Sequence, residues 1–355
     1  MKYFNLDLHI SVIADIKHIF NDLGHQVDNW SISGHSYLMG SPPDQVDVIN
    51  QHTWRNINEE LADQFYHRYK DTLEKYDGFI VTHTPCFSML YEKFNKPIIT
   101  IASTRYEDPF SSDMIKWAKF NRYLQAQVDK EKIIAVANNK YDEKYTELFT
   151  SRKWQHIPSL CGYTNAKYTG KLDKYLYSSK FKFDLKNVDN LVDKDSALKS
   201  GYKWQDLADY KGIVHIPYNA STMSIFEQYT SNIPLFFPTF EFLSLLRSEH
   251  CAHGVLSELS WNQVHNYSSN SALFGWPWSG PDDPNNYLNN ATMMEWAKLS
   301  DFYDEENMPH IQYFESLEHL DELLKTVDTQ EISALMEEHN IKRKKSVYEK
   351  WKKVL

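Results

Sequence analysis

The sequence predicts an α/β protein of two domains, each built on a parallel sheet. Three observations predict it. The chain has 355 residues, and at about 150 residues per domain two cores are expected. Short apolar runs alternate with longer stretches of helical periodicity, the order that a parallel sheet requires. Between Asn165 and Lys211 the composition turns polar and rich in Lys and Asp, which suits a junction near its start. The domains are expected at 1–165 and 166–355, with the last helix packing back on the first.

Tyr3 to Leu8 reads as a strand. Ser11 to Leu23 carries Val12, Ile13, Ile16, Ile19, Phe20 and Leu23 at helical spacing, and Gly24 can end that helix. A strand at His25 to Ser33 and a loop with Pro42 and Pro43 follow. Asn56 to Lys75 predicts a helix, Gly78 to Thr82 a buried strand, Pro85 to Asn95 a helix and Pro97 to Ala102 a strand. Helices at Asp113 to Val128 and Tyr141 to Thr150 then alternate with strands at Lys132 to Ala137 and Trp154 to Ile157. In the second half, strands are expected at Tyr175 to Phe183, Gly212 to Ile216, Pro234 to Phe237 and Ile311 to Phe314. Helices are expected at Asp195 to Tyr210, Thr222 to Thr230, Phe240 to Arg247, Thr292 to Ser300, Ser316 to Thr326 and Glu331 to Leu355. Asn262 to Asn290, rich in Asn, Ser, Pro and Trp, reads as a long loop.

Composition removes several function classes. Lys plus Arg number 38 against 48 Asp plus Glu, a net charge of −10, so there is no electrostatic case for wrapping nucleic acid. Cys86, Cys161 and Cys251 show no CxxC spacing, which excludes a zinc ribbon or a disulfide framework. Asp7, His9 and Asp15 interrupt the apolar core that a signal peptide needs, and no stretch reaches about 18 apolar residues. A cytoplasmic protein without a membrane span is expected. The histidines form no HExxH, so no protein-built metal site is expected.

Ligands of such sheets sit beyond the carboxyl ends of the strands, and the residues there are polar. The first loop holds Asp7, His9 and Ser11, later ones His83 and Thr84, then Arg105 and Glu107, then Asn138 and Asn139. An imidazole beside a carboxylate can take a proton from a hydroxyl. His9 is the candidate base, oriented by Asp7 or Asp15, and it equally reads as a cap of the first helix. His83, Thr84, Arg105 and Glu107 are further candidate site residues on these loops.

The segment His215 to Pro238 places a strand, a turn with Asn219, Ser221 and Thr222, a helix carrying Glu227, and the step Ile233-Pro234 into another strand. Hydroxyls and open N–H groups at a helix start suit phosphate oxygens, and Glu227 can accept from ribose hydroxyls. Ser221 also reads as an ordinary N-cap and Glu227 as a solvated helix residue.

This order of features resembles the donor-binding half of GT-B glycosyltransferases. There a strand runs into a Ser/Thr or Gly turn, an acidic helix residue holds the ribose, and a small-Ile-Pro step opens the next strand. Ser221, Thr222, Glu227 and Ile233-Pro234 match it; the usual Glu pair is reduced to Glu227, and Asn232 stands where that family has Gly. The resemblance implies two facing Rossmann-like domains with a cleft between them, acceptor side first, with His83, Thr84, Arg105 and Glu107, and donor side second. It implies a nucleotide-diphosphate sugar as donor substrate, a glycan or other hydroxyl as acceptor and no cofactor; His9 stands in the first loop, where some inverting members carry their basic histidine, with inversion and retention both open. An epimerase or hydrolase on the same lobes and a non-catalytic glycan- or nucleotide-binding module remain alternatives. Asp193-Lys194-Asp195 has DxD spacing but lies in a charged tract and reads as solvated. Trp276 and Trp278 read as loop packing, and Lys342 to Lys345 as a solvated helix face.

Overall fold

A computed structural model describes residues 1–34, 44, 46–103, 106–111, 113–181, 188–199, 201–259, 286 and 289–355. Among these the chain divides into two compact units. One takes Met1–Ser159 and Tyr348–Leu355, the other Leu160–Ser260 and Asn286–Val347.

The first unit holds six parallel strands: β1 (Lys2–Asp7), β2 (Gln26–Ser31), β3 (Gly78–Val81), β4 (Ile98–Ala102), β5 (Ile133–Ala137) and β6 (Gln155–His156). Their order is β2-β1-β3-β4-β5-β6. Every residue of β3 and β4 is buried, as expected of strands with helices on both faces. Helix α1 (Ile10–Asp22) turns Val12, Ile13, Ile16, Ile19 and Phe20 inward, and Gly24 takes the left-handed conformation, φ 81°, just past its end. Asn58, Asp113 and Asn139 cap α2 (Glu59–Leu73), α3 (Met114–Asp129) and α4 (Lys140–Thr150) with their side chains.

The second unit holds β7 (Leu172–Ser179), β8 (Leu191–Asp193), β9 (Tyr210–Ile216), β10 (Leu235–Pro238) and β11 (Gln312–Phe314), all parallel, in the order β11-β10-β9-β7-β8. Its helices are α5 (Lys194–Ala197), α6 (Trp204–Ala208), α7 (Met223–Thr230), α8 (Phe240–His250), α9 (Asn290–Ala297) and α10 (Leu317–Thr326). The last helix, α11 (Thr329–Val354), contributes its final turn to the first unit. There Trp351 is buried with its ring 5.2 Å from that of Phe20, and the Tyr348 hydroxyl donates to Asp22 at 2.6 Å. No described helix is long and apolar enough to cross a membrane.

The structure departs from the sequence reading in three places. The helix expected over Asp195 to Tyr210 is two short ones, because Gly201 is left-handed, φ 85°, and Tyr210 already begins β9. The Pro85 to Asn95 helix is a 3-10 turn at Pro85–Tyr91 whose Cys86, Phe87, Leu90 and Tyr91 are all buried, leaving no solvent face for an amphipathic helix. Strand β8 was not expected at all. Most of the Asn262 to Asn290 loop, including Trp276 and Trp278, lies outside the described residues.

Asn232 has a definite role. It follows α7 with φ 58°, a conformation that Gly adopts freely and Asn tolerates, which explains why Asn can stand where Gly is usual. Its side-chain oxygen also accepts from Asn340 of α11 at 2.8 Å. Replacing Asn232 with Ala should therefore cost more stability than replacing it with Gly. Both lose the Asn340 bond, and Ala adds roughly 1 kcal/mol of left-handed strain, measurable by urea unfolding.

Candidate functional site

Each sheet reverses its strand order once, and the polar loops gather at those reversals. In the first sheet β1 lies between β2 and β3, so the loops after β1 and β3 flank the crevice where ligands of doubly wound sheets bind. His9 follows β1 and His83 follows β3. Their rings stand 5.0 Å apart, tilted by 31°. His83 is held at φ 61°, a left-handed state that Asn, Asp and His adopt more readily than other residues with a side chain.

Asp7 closes β1 with no solvent exposure. Its carboxylate accepts from the His9 backbone N–H at 2.7 Å and from the Ser31 hydroxyl at 3.1 Å, so it shapes the loop that carries His9. Burial pushes its pKa up to about 7, opposed by those two hydrogen bonds and by Lys17. Asp15 is buried on α1. Thr84 is buried, and its hydroxyl donates to the Asp108 carbonyl at 2.5 Å, joining the loops after β3 and β4. Glu107 is buried too, accepts from Tyr145 at 3.1 Å, and is pushed by burial to about 8. The structure thus brings His9 and His83 together and turns Thr84 and Glu107 into the fold. Arg105 lies outside the described residues.

In the second sheet the reversal falls between β7 and β9, and a cavity of about 180 Å³ opens there. Ser178, Ser179 and Lys180 line it from the end of β7, Asp193, Lys194 and Asp195 from the end of β8, and Tyr218, Asn219, Thr222 and Ser224 from the turn into α7. The Lys180 ammonium sits 3.8 Å over the Tyr218 ring and pairs with Glu258. His215 stacks on Phe237 at 4.8 Å and bonds Gln228 at 2.7 Å; burial pushes its pKa down to about 4, so it stays neutral.

The start of α7 is unusual. Among the described helices of eight or more residues, α1 and α7 have no side-chain cap; Asn58, Asp113, Asn139, Thr239, Asn289, Ser316 and Asp328 serve the others. Three nearby groups are turned elsewhere. The Ser221 hydroxyl bonds Asp301 at 2.5 Å, the Thr222 hydroxyl bonds that of Ser224 at 2.9 Å, and the Asn219 side chain accepts from the Ala220 N–H at 2.7 Å. An uncapped helix start facing a polar cavity is a ready anion site.

Asn219 and Thr222 thus line the cavity, whereas Ser221 does not. Glu227 does not line it either; its carboxylate accepts from the Tyr163 hydroxyl. Sequence reasoning missed Lys180, Ser224 and the Asp193 to Asp195 tract. The tract read as solvated because the three-residue strand that delivers it was not recognised. Lys180 fell inside the strand expected at Tyr175 to Phe183, which in the structure ends at Ser179.

No family model matches the sequence, and no curated protein matches it. Solved structures do. The spinosyn rhamnosyltransferase SpnG aligns over 92% of this chain and 99% of its own at 12% identity, with a TM-score of 0.38. An S. aureus MnaA–UDP structure aligns over 79% and 99% at 11% identity, TM-score 0.40. The glycosyltransferase VinC in complex with dTDP aligns over 94% and 100% at 9% identity, TM-score 0.37.

The buried Asp7 has a measurable signature. Burial pushes its carboxyl up to about 7 in the fold from the ordinary 3.8, so between those pH values the folded state holds the extra proton. Its contribution is therefore lost as pH rises from about 4 to about 7. Asp7→Asn should match the wild type near pH 4 and exceed it at pH 8 by on the order of 4 kcal/mol in chemical unfolding. A constant difference across that range would contradict the assignment.

Proposed function

We propose that this chain is a glycosyltransferase that moves a sugar from a nucleotide-diphosphate donor to an acceptor hydroxyl, on a glycan or another alcohol. The observation that carries the reading is the uncapped start of α7 opening on the cavity at the β7/β9 reversal. A diphosphate leaving group gains negative charge as the sugar departs. Backbone N–H groups, a helix dipole and lysine side chains aimed at that charge stabilise it without reorganising. Lys180 and Lys194 supply the side-chain charge, Thr222 and Ser224 the hydroxyls, and Asn219 fixes the turn. With these donors present the reading needs no metal ion at the phosphates.

Ser221 and Glu227 match the donor motif of the family that the sequence resembles. Ser221 acts here through Asp301, which anchors the loop, and Glu227 takes the ribose hydroxyls with Tyr163 orienting its carboxylate. The base is assigned to the first unit. His9, on a loop held by Asp7 and next to His83, removes the acceptor proton as the new bond forms.

Two experiments test this. Lys180→Ala should weaken a nucleoside diphosphate by about 1.5–3 kcal/mol in calorimetry, the range for a charged hydrogen bond, and leave the free nucleoside nearly unaffected. Equal losses for both ligands would mean that Lys180 only supports the loop. With an active donor and acceptor found by product analysis, His9→Ala should lower turnover about 10²–10⁴-fold while donor affinity stays the same. Donor binding without transfer to any hydroxyl acceptor would favour a binding module.

A further inference from the structure

The second unit has another hollow beyond the ends of β10 and β11. It measures about 370 Å³ and is lined by Thr239, Phe240, Lys298, Tyr303, Glu305 and Tyr313. Its floor is aromatic. The Tyr303 and Tyr313 rings lie 5.8 Å apart and 29° from parallel, and Phe240 meets Tyr303 edge-on at 6.0 Å. Both phenols point into the fold, Tyr303 donating to the Pro238 carbonyl at 2.9 Å and Tyr313 to the Phe302 carbonyl at 2.6 Å. What these residues offer to the hollow is therefore ring carbon. The rim is charged: Lys298 and Glu305 are exposed, with the Lys298 ammonium 5.5 Å from the Phe240 ring and 2.6 Å from Glu295.

A floor of aromatic carbon inside a rim of donors and acceptors matches the two-sided chemistry of a pyranose. Its C–H face loses water at little cost against aromatic carbon, while its edge hydroxyls need partners such as an ammonium and a carboxylate. An aliphatic chain or an apolar peptide face would gain nothing from the charged rim and would have to desolvate it.

We propose that this hollow is a carbohydrate subsite that holds one pyranose ring of a glycan, separate from the cavity at the β7/β9 reversal. The proposal goes beyond the transferase reading and stands without it, since sugar binding here requires no transfer. The two places share one short turn, Asp301–Tyr303. Asp301 holds Ser221 of the α7 turn, and its N–H donates to Ala220 at 3.2 Å, while Tyr303 forms the floor of the hollow.

The test applies the intact protein to an array of pyranose oligosaccharides and titrates the ones that bind by calorimetry. At least one should bind, and Phe240→Ala should weaken it about three- to tenfold, the worth of a lost stacking ring. Lys298→Ala should weaken it several-fold, and as an exposed position it carries the test if Phe240→Ala does not fold by circular dichroism. Tyr303→Phe should leave affinity unchanged, because the hydroxyl faces the Pro238 carbonyl. An array with no bound glycan, or glycan affinity unaltered in Phe240→Ala and Lys298→Ala, would overturn the proposal. So would uridine or adenosine displacing the glycan at comparable concentration, which would make the floor a base-stacking site.

Discussion

The start of α7 has no side-chain cap, and the polar groups around it are held in other bonds. A neighbouring hydroxyl would ordinarily cap such a helix, worth about 1 kcal/mol. Here Asp301 draws Ser221 away, Ser224 engages Thr222, and Asn219 is spent on its own turn. The loop is pinned as well, with the N–H groups of Leu256 and Glu258 donating to the carbonyls of Pro217 and Tyr218 at 2.9 Å. Lys180 is steadied by Tyr218 and Glu258 before any ligand arrives. Rigid donors that need no rearrangement are what stabilisation of developing charge requires.

The first unit obeys the same logic with different chemistry. Parallel strands bury apolar side chains on both faces, so polar groups are tolerated mainly where the chain leaves the sheet. Asp7 and Glu107 sit there without solvent, both with pKa values raised by burial. Such groups cost stability at neutral pH and are kept where they position something. Asp7 holds the backbone of His9, and Glu107 ties the loop after β4 to Tyr145 of α4. The α1 terminus, also without a side-chain cap, lies at the first sheet's reversal just as α7 lies at the second's.

Apolar runs were legible as strands because β3 and β4 are continuous buried segments, and α1 was legible because its apolar residues fall at helical spacing. Strand β8 was not, since its three residues at a sheet edge are only half-buried and sit in a charged tract. That miss hid the Asp193 to Asp195 lining. The pairing of His9 with His83 was equally invisible, because it depends on β1 and β3 being neighbours, which order along the chain does not state. The hydroxyls of Ser221 and Thr222 were recognisable as a helix start. Their engagement with Asp301 and Ser224 arises from tertiary packing, and so does the opening it leaves.

The claim that nucleotide diphosphates bind at the start of α7 is tested most directly by hydrogen–deuterium exchange with and without UDP and dTDP. Bound diphosphate should slow exchange in peptides covering Ile216 to Ile225 and Tyr177 to Phe181, by accepting from the α7 amides and ordering the Lys180 loop. Nucleotide that binds without protecting either peptide would contradict the account.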